Sequence, residues 1–306
     1  MKILLLSPNQ IHRYNWGHQL FRNEIGNQHE VVYYGEGFPN FDSKLYVKEI
    51  IKKIYRKSKP DLIMTYGWRY SKDFNGMGDI DIPKAHIVVD YGRPQGIIRQ
   101  NSFHRKNKYD LLFVISQNAH RLITKNTPEM PAHIIPFSVD TNIYKPLNIP
   151  KENVVLAAFN SRPDVYPNRT KIRRALKQLG IKTIQKRVIH NNLIKAINRC
   201  KITVTSNNIF ASLSMRYTET LACGGFLLAD KPEDLESVGL EDGKHLVLYK
   251  DIKDFSKKVK YYMNPKHDSE RQKIEKAGMK FVRENHSCKK RVEQMTQIIN
   301  KELGIQ

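Results

Sequence analysis

The sequence predicts two successive α/β domains, each a doubly wound parallel sheet. Three observations point there. Short apolar runs alternate with segments of helical period, a proline-bearing stretch interrupts that alternation, and the alternation then restarts. The 306 residues suit two domains of about 150 residues each. In the first half, strands are expected over residues 2–6, 30–34, 61–66, 85–90, 110–116 and 133–137, with helices over 18–25, within 41–58 and after 116. Residues 136–153 hold Pro136, Pro146 and Pro150 with little helical period and read as the connection. Beyond it come strands at 153–159, 202–206 and 226–230 and helices at 169–179, 191–199 and 214–223. Three further helices are expected at 252–263, 269–285 and 288–303. The expected division is 1–145, 146–285 and a terminal helix over 286–306. In such sheets the carboxyl ends of the strands carry the ligands, so the two halves are expected to face one cleft.

Composition narrows the setting. The opening apolar run, Ile3 to Leu6, is too short for a secretory core, and no run reaches the roughly 18 residues of a membrane span. Cys200, Cys223 and Cys288 are odd in number and lack CxxC spacing, which indicates neither a disulfide framework nor a zinc site. A cytoplasmic protein is the expectation. The formal charge of +22, from 52 Lys and Arg against 30 Asp and Glu, is large for this length. It points to a polyanionic partner, whether nucleic acid, an anionic cell-surface polymer or an acidic membrane surface, with general solubility as the plainer account.

The most informative segment is 212–230, SLSMRYTETLACGGFLLAD. If Ser214 caps the helix there, the free N–H groups and positive dipole end behind it suit a diphosphate. Arg216 adds a full charge. Arg216 and Glu219 are three residues apart and share a helix face, so the guanidinium could meet phosphate oxygens while the carboxylate accepts from a ribose diol. A surface ion pair is the alternative.

This segment, continuing through DLESVGLEDGKHLVLYKD to the late helices, resembles the C-terminal half of the spore-protein CgeB/YkvP group of glycosyltransferases, related to the large GT-B families. The resemblance runs from about Asn153 to Asn285. It implies a GT-B fold, Glu219 as the carboxylate that binds the donor ribose, and Gly224-Gly225 as the place where backbone approaches the nucleotide. Residues 133–146 similarly resemble the domain-crossing segment of GT-B enzymes. The large retaining families carry a second glutamate at the position that is Ala211 here, so inverting and retaining outcomes both stay open. YPNR, residues 166–169, matches the same group and brings Arg169 to the donor, with Arg162 just before it. Both cations would stabilise a departing nucleoside diphosphate where other enzymes use a metal. Otherwise Arg169 shares a solvated helix face with Lys171, Arg173 and Arg174. The resemblance alone favours a UDP-linked donor.

Asp79-Ile80-Asp81 matches the short DxD metal motif, but its Gly- and Pro-flanked setting reads better as a turn, and no cofactor or metal is expected. Asp90, at the carboxyl end of a strand, is the candidate base for the acceptor hydroxyl, and His18 is its rival. Either could instead hold a loop in place. The segment 99–108 mixes Arg99, Arg105 and Lys108 with Phe103, a pattern suited to gripping an anionic acceptor or to a solvated helix face. The expected activity is sugar transfer from a nucleoside diphosphate sugar to a hydroxyl of an anionic acceptor, modified-base DNA among the candidates. A nucleotide-sugar epimerase of the same fold and a non-catalytic nucleic-acid-binding protein are the rivals.

Overall fold

The computed structural model describes residues 1–10, 16–67, 74–89, 91–92, 94–160, 162–209 and 212–305. The chain divides into two units, Met1–Pro136 with Arg291–Gln306, and Phe137–Lys290.

The first unit is built on a parallel sheet of β1 (Lys2–Leu6), β2 (Glu30–Tyr34), β3 (Leu62–Tyr66), β4 (Lys84–Val88), β5 (Leu111–Val114) and β6 (Ala132–Ile134), in the order β2-β1-β3-β4-β5-β6. Strands β3, β4 and β5 are buried along their whole length, as expected of parallel strands covered on both faces. The helices of this unit are α1 (Trp16–Gln28), α2 (Val47–Tyr55), α3 (Pro94–Asn107) and α4 (Gln117–Asn126). Ser116 caps α4 by accepting from the amide of Ala119. Leu4, Leu6, Ile63, Val88, Leu112 and Val114 form the centre of the core.

The second unit repeats the plan in β7 (Glu152–Leu156), α5 (Pro167–Gln178), β8 (Thr183–Ile184), α6 (His190–Arg199), β9 (Cys200–Val204), α7 (Met215–Ala222), β10 (Leu227–Asp230) and β11 (Val247–Tyr249). The helices α8 (Ile252–Met263) and α9 (Asp268–Asn285) follow. Its sheet order is β11-β10-β9-β7-β8, again all parallel. Numbered from the first strand of each unit, the first sheet runs 2-1-3-4-5-6 and the second 2-1-3-4-5, both following the flavodoxin-like doubly wound order. Its ligand crevice lies where the order reverses, between the first and third strands. The core gathers Val155, Ile202, Val204, Phe226, Leu228 and Phe255.

The last helix, α10 (Cys288–Leu303), starts in the second unit, and from Arg291 onward the chain belongs to the first. There Thr296 meets Nε2 of His29 at 2.8 Å and Glu302 pairs with His133. The division thus comes earlier than residue 145. Residues 137–145 side with the second unit, where the amide of Val139 donates to the carbonyl of His286 and that of Cys288 donates to the carbonyl of Val139. The three cysteines are buried thiols. No helix among the described residues is long and apolar enough to cross a membrane.

Candidate functional site

In the second unit the order reverses between β7 and β9, and the loops leaving their carboxyl ends, with the helices they enter, carry Arg162, Arg169, Ser214, Arg216 and Glu219. The backbone beyond β9 is fixed from both sides. Asp230, ending β10, accepts from the amide of Asn207 at 2.7 Å, Tyr217 donates to the carbonyl of Asp230 at 2.7 Å, and Tyr249 donates to the carbonyl of Thr205. Burial, as the leading cause, raises the Asp230 carboxyl above the usual range, opposed by the hydrogen bond from Asn207.

The loop then enters α7. Ser214 stands at the N-cap in extended backbone geometry, but its hydroxyl makes no capping bond. Its Oγ is buried without a partner among the described residues. That differs from the expected cap and leaves a hydroxyl beside the first amides of α7, which lack intrahelical acceptors. One turn on, Arg216 and Glu219 form the expected pair, Nη1 to Oε2 at 3.5 Å, with side chains 19% and 11% exposed. This is no solvated surface pair. The other carboxylate oxygen of Glu219 accepts from the hydroxyl of Tyr144 at 3.0 Å. Burial, followed by the Glu219 charge, pushes the Tyr144 hydroxyl to a higher pKa, so it remains a donor.

Arg169 lies on the first turn of α5 and is buried. Its guanidinium sits 3.3 Å over the Tyr166 ring, with Phe159 at 5.0 Å. It donates to the carbonyl of Asn160 at 2.9 Å and reaches that of Ser206 at 3.4 Å. It therefore ties the loop after β7 to the loop after β9, while Nε and the hydroxyl of Ser206 find no partner among the described residues. Desolvation lowers its pKa to about 10, still cationic at neutral pH. Arg169 is thus separated from the exposed Lys171 and Arg174 on the same helix. Arg162 is exposed and paired with Asp164 at 2.6 Å. It contributes through its backbone, whose carbonyl accepts from Val165 and Tyr166 in the turn before α5.

Gly224 and Gly225 follow the other end of α7 from Ser214, and the structure gives each a local reason. Gly224 has φ +68°, the left-handed geometry that commonly ends helices. A Cβ on Gly225 would lie 2.7 Å from Cγ2 of Ile197 and 2.9 Å from Cγ2 of Thr220. Chain reversal and packing explain the pair, and neither glycine joins the cluster at the N-terminus of α7.

In the first unit, Nδ1 of His18 lies 2.5 Å from the Tyr66 hydroxyl, beside the β1–β3 reversal. Burial, then the nearby Arg22 charge, lowers the His18 pKa to about 3, leaving a neutral and weakly basic ring. Asp90, the other candidate base, lies outside the described residues. The segment 99–108 falls on α3, and here the expectation of an aromatic ring offered among cations needs correction. Phe103 and His104 are buried and pack with His86 and Tyr109, while Arg105 is held by Glu129 and the carbonyl of Asn126. Helical periodicity turns the ring inward. Asp79 ends a 3-10 turn, Met77–Asp79, and both it and Asp81 are exposed.

The residues that sequence reasoning missed are Tyr144, Asn207, Tyr217 and Asp230. Asp230 alone carried a signal, a carboxylate closing a strand.

Residues 159–297 match the family model described as glycosyl transferase-like. The structure resembles a sucrose-phosphate synthase from Thermosynechococcus elongatus (TM-score 0.68, 12% identity, 99% of each chain covered). It also resembles a glycosyltransferase from Rickettsia africae (0.67, 13%, 100% of this chain and 99% of that one). A third similar structure is HepE of Anabaena in complex with UDP and glucose (0.73, 12%, 98% and 100%). No curated protein matches the sequence. The fold, two Rossmann-like parallel-sheet units, is that of the GT-B glycosyltransferases.

Proposed function

We propose that the chain transfers a sugar from a UDP-linked donor, held by its second unit, to a hydroxyl of an anionic acceptor such as nucleic acid or a cell-surface polymer. One observation carries the reading. Along the segments that follow β7 and β9, the Ser214 and Ser206 hydroxyls and Nε of Arg169 are buried without partners among the described residues, and Ser214 opens the helix that carries the buried, ion-paired carboxylate of Glu219. Buried polar atoms normally find partners, and a ligand supplies them here. The glycosyl transferase-like match over this unit and the UDP complex of the similar HepE structure support a nucleotide-sugar donor.

In this reading Glu219 accepts from the ribose hydroxyls, while Arg216, Arg169 and the first amides of α7 surround the diphosphate. Transfer breaks the bond between the anomeric carbon and the diphosphate oxygen, which keeps the electron pair. The acceptor oxygen bonds to the anomeric carbon and gives its proton to a base. Negative charge grows on the departing UDP, and fixed cations in a buried site stabilise it without a metal. Asp90 is the proposed base. His18 is the weaker candidate, because a general base works best with a pKa near the operating pH.

Isothermal calorimetry with UDP, UDP-glucose and ADP-glucose tests the donor assignment. Micromolar binding of UDP and UDP-glucose by the native chain, weakened about tenfold or more in Glu219→Gln, is the expected result. Affinity for UDP unchanged in that variant would remove Glu219 from the site.

A further inference from the structure

No Asp or Glu occurs between Asp164 and Glu219, a stretch that holds twelve Lys and Arg. Much of that charge collects on one face of the second unit, at the β8 edge of its sheet. There α5 and the chain around β8 enclose a groove of about 570 Å3, lined by Arg173, Arg174 and Lys177 on one flank and by Thr183 and Gln185 on the other. Arg173 is committed to the scaffold, donating to the carbonyls of Phe159 at 2.7 Å and Gln185 at 3.2 Å. Arg174 and Lys177 are exposed and take part in none of the ion pairs among the described residues. Lys182 and Lys186 are likewise exposed on the β8 side.

We infer that this groove is a docking site for a flexible phosphodiester polymer, recognised through its phosphates alone. Cations without neighbouring acids on a concave surface concentrate field and favour a polyanion. None of the lining residues is aromatic, so the platform on which single-stranded nucleic acid stacks its bases is missing. What fits is one chain of phosphates joined by polyol or sugar units, as in an anionic cell-surface polymer. The inference rests on the anionic-acceptor part of the proposed function. It places the grip on α5 and not on the 99–108 segment of the first unit, whose ring is buried and whose Arg105 is already paired.

The test uses the full chain and fluorescence anisotropy with two probes of equal length, an abasic phosphodiester oligomer and a thymidylate oligomer, titrated at several salt concentrations. The native chain should bind both with nearly equal affinity. Arg174→Gln with Lys177→Gln should weaken both about tenfold at low salt and lower the magnitude of the log–log salt slope by about 1.4, at roughly 0.7 per phosphate contact in single-stranded chains. The same charge removed on α8, Lys253→Gln with Lys257→Gln, should change neither, and UDP affinity should stay at the native value in both double variants. An unchanged slope in the α5 variant would overturn the groove while leaving an anionic acceptor standing. Failure of the native chain to bind either probe would overturn both. Thymidylate binding tenfold tighter than the abasic probe would replace the inference with a nucleic-acid interface.

Discussion

The Tyr144 hydroxyl donates to Oε1 of Glu219 at 3.0 Å, across 75 positions of sequence. Tyr144 is itself anchored, because Arg283 donates to its carbonyl at 3.3 Å and to that of Thr141 at 3.0 Å. The segment leading out of the first unit thereby sets the rotamer of a carboxylate on α7. In the proposed role of Glu219 as the donor-binding carboxylate, a side chain held this way needs little reordering when ligand arrives, which lowers the entropic cost of binding.

Tyr144→Phe should therefore weaken UDP binding by about threefold to tenfold and cost about 1 kcal/mol of stability, the usual worth of one hydrogen bond. Glu219→Ala should do more to the fold than loss of an exposed carboxylate would. It strips both Tyr144 and Arg216 of an acceptor in a buried setting, costing about 1–3 kcal/mol. Calorimetry with UDP and urea unfolding, run side by side, check both variants. A Tyr144→Phe chain with native affinity would make this hydrogen bond purely architectural.

Arg169→Lys should retain the charge yet lose the paired donation to the carbonyls of Asn160 and Ser206 and the flat contact with Tyr166. Turnover should fall about tenfold or more, with a smaller change in donor affinity, if the guanidinium acts chiefly on charge that develops as UDP departs. Arg162→Ala, by contrast, removes an exposed pair with Asp164 and should leave stability within about 0.5 kcal/mol of native. Steady-state kcat and KM for the two variants separate the roles. Equal losses in kcat/KM and donor affinity for Arg169→Lys would mean uniform ground-state binding.

Transfer should proceed in excess EDTA at the rate seen without it, since the proposed site balances the diphosphate with Arg169, Arg216 and helix amides. A rate abolished by EDTA and restored by Mn2+ would return Asp79 and Asp81 to consideration.

The parallel sheets were legible because their central strands are buried on both faces and carry unbroken apolar runs, as in residues 3–6 and 62–64. The edge strands β8 and β11 were not, since two or three residues carry no period. At the site, the pairing of Arg216 with Glu219 could be read from helical spacing, but its burial could not, because that depends on Tyr144 folding back from the linker. Two glycines in a row showed that side chains were unwelcome after α7. Only the proximity of Ile197 and Thr220 shows that packing excludes them. The ring of Phe103 is a parallel case, because ten residues dense in cations hide the inward-facing side of a helix.

Acid should destabilise the first unit through its buried histidines. Burial lowers the His104 pKa to about 4, and burial followed by the His104 charge lowers that of His86 well below its usual value. A histidine depressed in the folded state contributes stability that is fully present above about pH 6.5. That stability is lost as pH falls toward the folded pKa, because the unfolded chain takes up the proton first. His104 alone should account for about 3 kcal/mol between pH 6.5 and 4. Thermal melts across that range should show Tm falling, with a shallower fall in His104→Gln, and equal slopes in both chains would reject the assignment.

The base can be identified by comparing two variants under one assay. Asp90→Asn keeps the size of the side chain but removes its proton affinity, so transfer should fall about 10²-fold or more while calorimetric UDP affinity stays at the native level. His18 is held by Tyr66 at Nδ1, and its pKa near 3 makes it a poor proton acceptor at neutral pH. His18→Gln should consequently cost less than Asp90→Asn. If His18 were the base, the rate would follow its own titration and stay flat from pH 8 down to about pH 4, so pH–rate profiles of both variants and the native chain add an independent readout. Near-native transfer by Asp90→Asn, together with a 10²-fold loss in His18→Gln, would exchange the two roles and require that bound substrate raise the His18 pKa.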